Sequence, residues 1–251
     1  MNTEIKNAIQ AADSEAQYDE SAKRLLAQKY VLAHILVRTV EEFQGMEIEK
    51  VASLIEGDPY ISKVPVASGL TNKDRNVEGK RIVGLNTETG EKNEGLVRFD
   101  IIFYVRMRNG LAQMIINVEA QKDEPGSYQI LNRAIFYVSR LISSQKERDF
   151  VKSNYNDIKT VYSIWVCMNM PENSMCHIYL TKEDLLGKHN WKGNLNLVNI
   201  VMIGLTNALP ESHNEYGLHR LLCAMFSNEL SQQQKMRSEE HTSELQSLEP
   251  I

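Results

Sequence analysis

Two apolar segments flank Asn109 and Gly110, and this arrangement restricts the fold more than any other part of the chain. Asn-Gly is the strongest short-range signal for a β-hairpin, because both central residues of a type I′ turn need positive φ. With these two residues as the loop, the sequence predicts a hairpin from Arg98 to Gln121. The same register sets Asp100 directly opposite Glu119.

The faces of this hairpin provide a test of its register. Side chains of a strand alternate between the two sides of a sheet, so a slip of one residue exchanges the faces. One face is apolar, with Val97, Phe99, Ile101, Phe103 and Val105 opposite Met114, Ile116, Val118 and Ala120. The other face carries Arg98, Asp100, Ile102, Tyr104 and Arg106 opposite Gln113, Ile115, Asn117, Glu119 and Gln121. The pattern therefore favours this register, with both acids at the end away from the turn.

Apolar periodicity predicts the remaining elements. Helices are expected at Ser21–Phe43, Glu47–Ile55, Ser127–Gln145 and Tyr216–Glu229, and strands at Thr160–Met168, His177–Leu180 and Leu197–Ile203. Thr160–Met168 is nearly continuous in apolar, β-branched and aromatic residues, which is typical of a strand buried on both faces. The fold class is therefore α/β, with a mixed β-sheet that contains a central hairpin and is flanked by helices.

Opposed carboxylates on neighbouring strands repel each other, so the pair at Asp100 and Glu119 needs a compensating charge. A divalent cation such as Mg²⁺ is one solution, because it takes one or two carboxylates and leaves other positions to water and phosphate. Arg98, diagonal to Glu119 in the predicted register, offers another as a structural ion pair. The third possibility is that both acids are exposed to solvent.

Composition limits the other function classes. No apolar run approaches the roughly 20 residues of a membrane span, and the polar N-terminus has no signal region, so we expect a soluble cytoplasmic protein without membrane contact. The three cysteines are too scattered for a zinc site or a disulfide framework.

The segment Arg237–Ser247 matches the translation of a common sequencing-library adapter, so residues 237–251 are interpreted as an artefact and the natural product as truncated near Met236. Without this tail the 28 basic and 33 acidic residues become 27 and 29, and the net charge becomes −2 instead of −5, which does not indicate nucleic-acid binding by bulk charge.

Four blocks in order carry a resemblance to a known family. They are Asn93–Asp100, Ile116–Lys122, Arg133–Tyr137 and Val161–Trp165. The chain is similar in them to the PD-(D/E)XK family transposases related to the recombination-promoting nucleases. The resemblance covers roughly Lys23 to Met170. It implies one domain over residues 1–236, with a restriction-endonuclease-like core at about 21–205.

The resemblance also implies metal-dependent hydrolysis of DNA phosphodiester bonds. Asp100 and Glu119 would hold the metal together with the Ala120 carbonyl, and Gln121 would occupy the position of the family's lysine. An amide orients water but neither takes its proton nor supplies positive charge. Relatives in this subgroup also use Gln at this position, so the resemblance implies a variant site.

Further site residues are expected with alternatives beside them. Arg133 and Arg140 either contact substrate phosphates, pair with the acids of the site, or are solvated. Tyr137 either joins them or belongs to the core. Glu42 on the first helix and Glu94 before the first strand are candidate additional carboxylates.

Two functions remain open from the sequence. One is an Mg²⁺-dependent DNA endonuclease of transposition or recombination, which would be a homodimer if it cuts both strands. The other is a catalytically degenerate relative that binds DNA or a protein without hydrolysis, with the acid pair neutralised by Arg98.

Overall fold

The computed structural model describes residues 22–61, 88–90, 96–98, 100–108, 113–122, 125–210 and 217–226. Residues 22–26 are helical, and the further α-helices are α1 (Lys29–Thr39), α2 (Ile48–Leu54), α3 (Ile130–Ser143) and α4 (Gly217–Phe226). Short 3₁₀ turns lie at Glu41–Phe43, Tyr155–Asp157 and Leu195–Leu197. Among the described residues, no helix has the length and apolar character that crossing a bilayer would need.

The strands form one large sheet and one small one. They are β1 (Tyr60–Ile61), β2 (Glu88–Gly90), β3 (Leu96–Arg98), β4 (Ile101–Arg106), β5 (Gln113–Gln121), β6 (Val161–Cys167), β7 (Ser174–Tyr179) and β8 (Val198–Gly204). The large sheet has the order β1-β4-β5-β6-β8-β7, and β2 pairs with β3 in the small sheet. Strands β5, β6 and β8 are parallel, whereas β4 and β7 pair antiparallel with their neighbours. The predicted mixed α/β fold with a mixed sheet is confirmed.

The register of the central hairpin is confirmed, but its starting residue is corrected. Ile101 pairs with Val118 and Arg106 with Gln113, as the alternation predicted. The prediction that the strand begins at Arg98 is wrong, because Arg98 belongs to β3 and pairs with Glu88 in the small sheet. Regular pairing begins at Ile101. The predicted turn at residues 109–110 lies outside the described residues.

Two layers of helices cover the sheet. The apolar face of the hairpin packs on α1, α2, α4 and residues 22–27, and the other face packs on α3. Helix α3 lies in the crossover from β5 to the parallel strand β6, as expected for a β-α-β unit. All seven residues of β6 are buried, which confirms the prediction of a strand covered on both sides.

The first predicted helix is interrupted, although neither glycine nor proline marks the break. Residues 27 and 28 form a turn between the helical residues 22–26 and α1. The other predicted elements are confirmed within a few residues at each end, and the predicted C-terminal artefact at 237–251 lies outside the described residues.

Candidate functional site

Asp100 and Glu119 lie side by side where the regular pairing of β4 and β5 ends. The Asp100 backbone N–H donates to Glu119 Oε1 at 3.1 Å, and the Ala120 N–H donates to Asp100 Oδ2 at 2.9 Å. Each carboxyl group thus accepts a hydrogen bond from the backbone of the other strand. These bonds fix both carboxyl groups and leave Asp100 Oδ1 and Glu119 Oε2 for other partners.

The backbone of Ala120 is directed toward the same place. Along β5, Ile115 N–H donates to Thr160 and the Gln121 carbonyl accepts from Met168, so odd-numbered residues direct their backbone groups to β6. Even-numbered residues direct theirs to β4, because successive residues of a strand alternate. The Ala120 carbonyl therefore faces the side on which Asp100 lies.

Lys23 is the residue of this site that the sequence reasoning missed. Its Nζ atom lies 3.0 Å from Asp100 Oδ1, and its side chain is 19% exposed. The neighbouring Ala22, Leu25 and Leu26 are buried in the core, and they hold this helical turn against the sheet. The sequence shows Lys23 only as a polar residue at the start of a helix, so nothing in it indicates this contact.

Arg133 approaches Glu119 from the other helix layer. Its Nη2 atom is 3.9 Å from Glu119 Oε2 and donates to the Tyr137 hydroxyl at 2.9 Å. Its Nη1 atom donates to Gln121 Oε1 at 3.3 Å and to the Tyr128 hydroxyl at 3.0 Å. The guanidinium also lies over the rings of Tyr137 and Trp165. Several contacts therefore fix its orientation, and it remains 31% exposed.

Burial raises the pKa of Glu119 well above its ordinary value of 4.5, and the nearby Asp100 carboxyl group raises it further. Glu119 is only 1% exposed, so its charged form loses most of its hydration. The hydrogen bond from Asp100 N–H and the charge of Arg133 act in the opposite direction. The net result favours a protonated Glu119 over a wider pH range than in water.

A polar strip continues along β5 below this carboxyl group. Asn117, on the same face as Glu119, is fully buried and donates to Ser163 Oγ at 3.3 Å. Ser163 also accepts from Trp165 Nε1 at 2.9 Å. Asn117 Oδ1 is buried without a hydrogen-bond partner among the described residues. A buried acceptor of this kind is costly unless water or a ligand satisfies it.

The structure brings several predicted residues together and separates others. Asp100, Glu119, Ala120, Gln121, Arg133 and Tyr137 form one cluster at the carboxyl ends of β5 and β6. Arg140, two turns further along α3, is only 6% exposed. The alternative in which Arg140 is solvated is wrong, because its side chain is buried, and its contact with substrate phosphates stays a prediction.

Glu42 does not reach the site. Its Oε1 atom accepts from the Arg108 N–H at 3.0 Å, beside the turn of the hairpin. There it lines a cavity of about 390 Å³ with Glu41, Met107, Tyr162 and other residues. The acid pair lies at the opposite end of β5, so the prediction of Glu42 as a third carboxylate is wrong. Glu94 and the side chain of Arg98 lie outside what the structure describes.

The donor set suits a hard cation. Mg²⁺ prefers oxygen ligands and is commonly held by one or two carboxylates. Asp100 Oδ1, Glu119 Oε2 and the Ala120 carbonyl supply such oxygens, and Lys23 and Arg133 lie beside the two carboxylate atoms. Within the described residues there is no group of three or more His, Cys, Asp or Glu side chains that could hold a metal ion. A metal here would therefore depend on two carboxylates and one backbone carbonyl.

Comparisons with protein-family models, curated proteins and solved structures gave no match. The class of this protein is therefore described from its own fold and the geometry of its candidate site. It is a mixed α/β protein with a fixed carboxylate pair, flanked by two cations, at the carboxyl ends of parallel strands.

Proposed function

We propose that this protein is a metal-dependent DNA endonuclease of the PD-(D/E)XK type, with a restriction-endonuclease-like core, that acts in transposition or recombination. The observation that carries the proposal is the reciprocal bonding of Asp100 and Glu119 to each other's strand. It holds one oxygen of each carboxyl group in place, and the alternation of β5 turns the Ala120 carbonyl to the side on which Asp100 lies. The carboxyl ends of parallel strands are also where α/β sheets commonly bind ligands.

Asp100, Glu119 and the Ala120 carbonyl would hold Mg²⁺ or another divalent cation. When bound, such an ion lowers the pKa of a water molecule and stabilises charge on a phosphate. Arg133 contributes a charged donor that Tyr128 and Tyr137 fix in place, and guanidinium groups match phosphate oxygens in pairs. Gln121 accepts from Arg133 and so helps to orient it.

The proposed substrate is DNA, and the proposed location is the cytoplasm. If the enzyme cuts both strands, we expect it to act as a homodimer. Association as a dimer would place two such sites on the two strands of a duplex.

A specific observation also favours a second function, in which the protein binds DNA or a protein partner without hydrolysis. Lys23 and Arg133 lie next to the two acids and balance their charge in the absence of a metal. In that case the pair is a buried ionic cluster. Neutralisation then comes at least in part from these two residues, and a contribution from Arg98 stays a prediction.

Cleavage of supercoiled plasmid separates the two functions. We expect the purified protein to nick plasmid in Mg²⁺ and not in EDTA, and the Asp100→Asn variant to lose at least about a hundredfold of the rate, since it removes a charged metal ligand. Asp184→Asn is the matched control, because Asp184 pairs with Lys182 in a segment outside the site. It should retain the wild-type rate.

Nicking that persists in Asp100→Asn or in EDTA would exclude the endonuclease proposal, because neither the metal nor its main ligand would then be required. Retention of DNA binding without any nicking in Mg²⁺ or Mn²⁺ would support the second function instead.

A further inference from the structure

Strand β7 forms one edge of the large sheet, and no described strand pairs with its outer side. Edge strands commonly carry charged residues or proline, which prevent pairing with a strand of another chain. The six residues of β7 (Ser174–Tyr179) include no proline and no Lys, Arg, Asp or Glu, and all except Ile178 are exposed. This edge of the sheet is therefore unprotected.

The backbone of β7 directs donors and acceptors to its outer side. Leu205, directly after β8, donates its N–H to the Cys167 carbonyl, so odd-numbered residues along β8 direct their backbone groups to β6. Even-numbered residues of β8 direct theirs to β7, and Met202 pairs there with Cys176. The even-numbered residues of β7 are therefore bonded to β8. Those that direct their N–H and carbonyl groups outward are Met175, His177 and Tyr179.

Exposed apolar side chains are concentrated beside this edge. Seven of the thirteen large apolar side chains that are exposed in the described part of the chain lie between Met175 and Leu195, in β7 and the connection to β8. Leu186 is 98% exposed and Trp191 is 76% exposed. A stable interface buries about 800 Å² of each partner, and one aromatic side chain alone buries about 150 to 250 Å². The segment thus exposes apolar area of the size that a subunit interface needs, which is uncommon on monomers.

A second copy of this chain fits this edge. The uncharged strand offers no cation to the phosphates of a nucleic acid, and it allows two copies to meet without repulsion between like charges. A two-fold axis sets β7 against itself in the antiparallel sense, so that outward donors of each copy meet outward acceptors of the other.

We propose that the protein dimerises by antiparallel pairing of β7 with β7 of a second copy, which joins the two six-stranded sheets into one. The pairing covers the outer edge of β7 and leaves the two faces of the strand open. It does not depend on the chemistry of the acid pair.

Cys176 provides a direct test, because it lies in the middle of β7 and is exposed, whereas Cys167 and Cys223 are buried. In an antiparallel pair centred on β7, the two Cys176 residues lie opposite or diagonal to each other, with β-carbons within about 8 Å. We expect a bismaleimide with a short spacer to convert the dilute full chain into a covalent dimer. Cys176→Ser should abolish this product.

Light scattering with size-exclusion chromatography over a range of protein concentrations measures the association itself. We expect a dimer in the wild type, and Met175→Lys with Tyr179→Lys to weaken its association at least about tenfold, because like charges then meet along the paired edges. The same double variant should lose the cross-link. Circular dichroism verifies that it is folded, and Tyr179→Lys alone replaces it if it is not.

Ile135→Lys with Phe136→Lys is the matched control. It adds the same charge at exposed apolar positions in α3, where Ile135 is 46% exposed and Met175 in β7 is 45% exposed. The control should leave the association and the cross-link unchanged.

A wild type that stays monomeric at every concentration would overturn the inference, and the edge would then be left to another occupant. A dimer that the lysines in β7 leave intact, or that the lysines in α3 dissociate, would overturn it as well. The endonuclease proposal would stand in each case, because nicking of one strand requires no dimer.

Discussion

Glu119 is only 1% exposed, and its carboxyl group lies beside that of Asp100. This placement lowers the free energy of unfolding by an amount that can be measured. Desolvation and the charge of Asp100 raise the pKa of Glu119 above 4.5. A group with a raised pKa in the folded state contributes stability below its unfolded pKa and loses that contribution as the pH rises through the folded value. The folded protein is therefore less stable at neutral pH than it would be with an uncharged residue at this position.

The variant Glu119→Gln tests this cost, since glutamine has the same shape and never ionises. We expect its free energy of unfolding to exceed that of the wild type at pH 8, and the difference to shrink toward pH 4.5 as the wild-type carboxyl group becomes protonated. Urea unfolding followed by circular dichroism at both pH values, in EDTA, provides the measurement.

Glu172→Gln is the control, because Glu172 is exposed and should change the stability little at either pH. If Glu119→Gln were less stable than the wild type at pH 8, the ion pair with Arg133 would outweigh the cost of burial, and the pKa of Glu119 would be lowered instead of raised.

At the level of elements, the pairing of β4 with β5 and the burial of β6 were predictable from local patterns. Alternation over the hairpin allows one register, because a slip would place Asp100 and Glu119 on the apolar face. The apolar run Val161–Cys167 likewise allows burial on both sides.

The break before Ile101 was not predictable, because it depends on side chains that bond across strands. At this point Asp100 and Glu119 each accept a hydrogen bond from the backbone of the other strand, and the preceding strand β3 pairs with β2. Periodicity describes which side a residue faces, but it does not indicate where a carboxylate captures a backbone N–H. The same limit applies to Glu42, which lies beside Arg108, since helix periodicity does not specify which end of the sheet a helix reaches.

The position of β6 inside the sheet and of β7 at its edge leads to a prediction about two isoleucines. Ile164 in β6 is fully buried between Val118 and Val201, whereas Ile178 in β7 is only partly buried. We expect Ile164→Ala to lower the free energy of unfolding by about 2 to 5 kcal/mol, as for other large-to-small changes in cores. Ile178→Ala should cost about 1 kcal/mol, because its neighbourhood is open to water and leaves little cavity.

Urea unfolding of both variants at one pH measures this difference. Equal losses would mean that β7 is covered as well as β6, for example by another chain.

On the scale of the whole molecule, the site depends on all three layers of the fold. The sheet supplies Asp100 and Glu119, the layer that contains residues 22–26 supplies Lys23, and α3 in the opposite layer supplies Arg133. The two cations therefore approach the acids from opposite sides of the sheet. Residues so far apart in the chain meet only after the layers pack, which is why the sequence predicted Arg133 from its helix stripe but did not predict Lys23.

The stability of the whole fold should also depend on a histidine far from any proposed chemistry. His34 in α1 is 2% exposed, and burial lowers its pKa from 6.5 to about 4, with Arg38 lowering it as well and Glu49 opposing them. A depressed pKa contributes stability above the unfolded value, and this stability is lost as the pH falls from 6.5 through 4. The loss amounts to about 3 kcal/mol, since each pKa unit corresponds to about 1.4 kcal/mol.

We expect His34→Gln to have a flatter dependence of the free energy of unfolding on pH in this range, whereas His189→Gln, which changes an exposed ring, should keep the wild-type slope. Urea unfolding from pH 7.5 to 4 measures both slopes, and an unchanged slope in His34→Gln would show that acid acts on this fold through other groups.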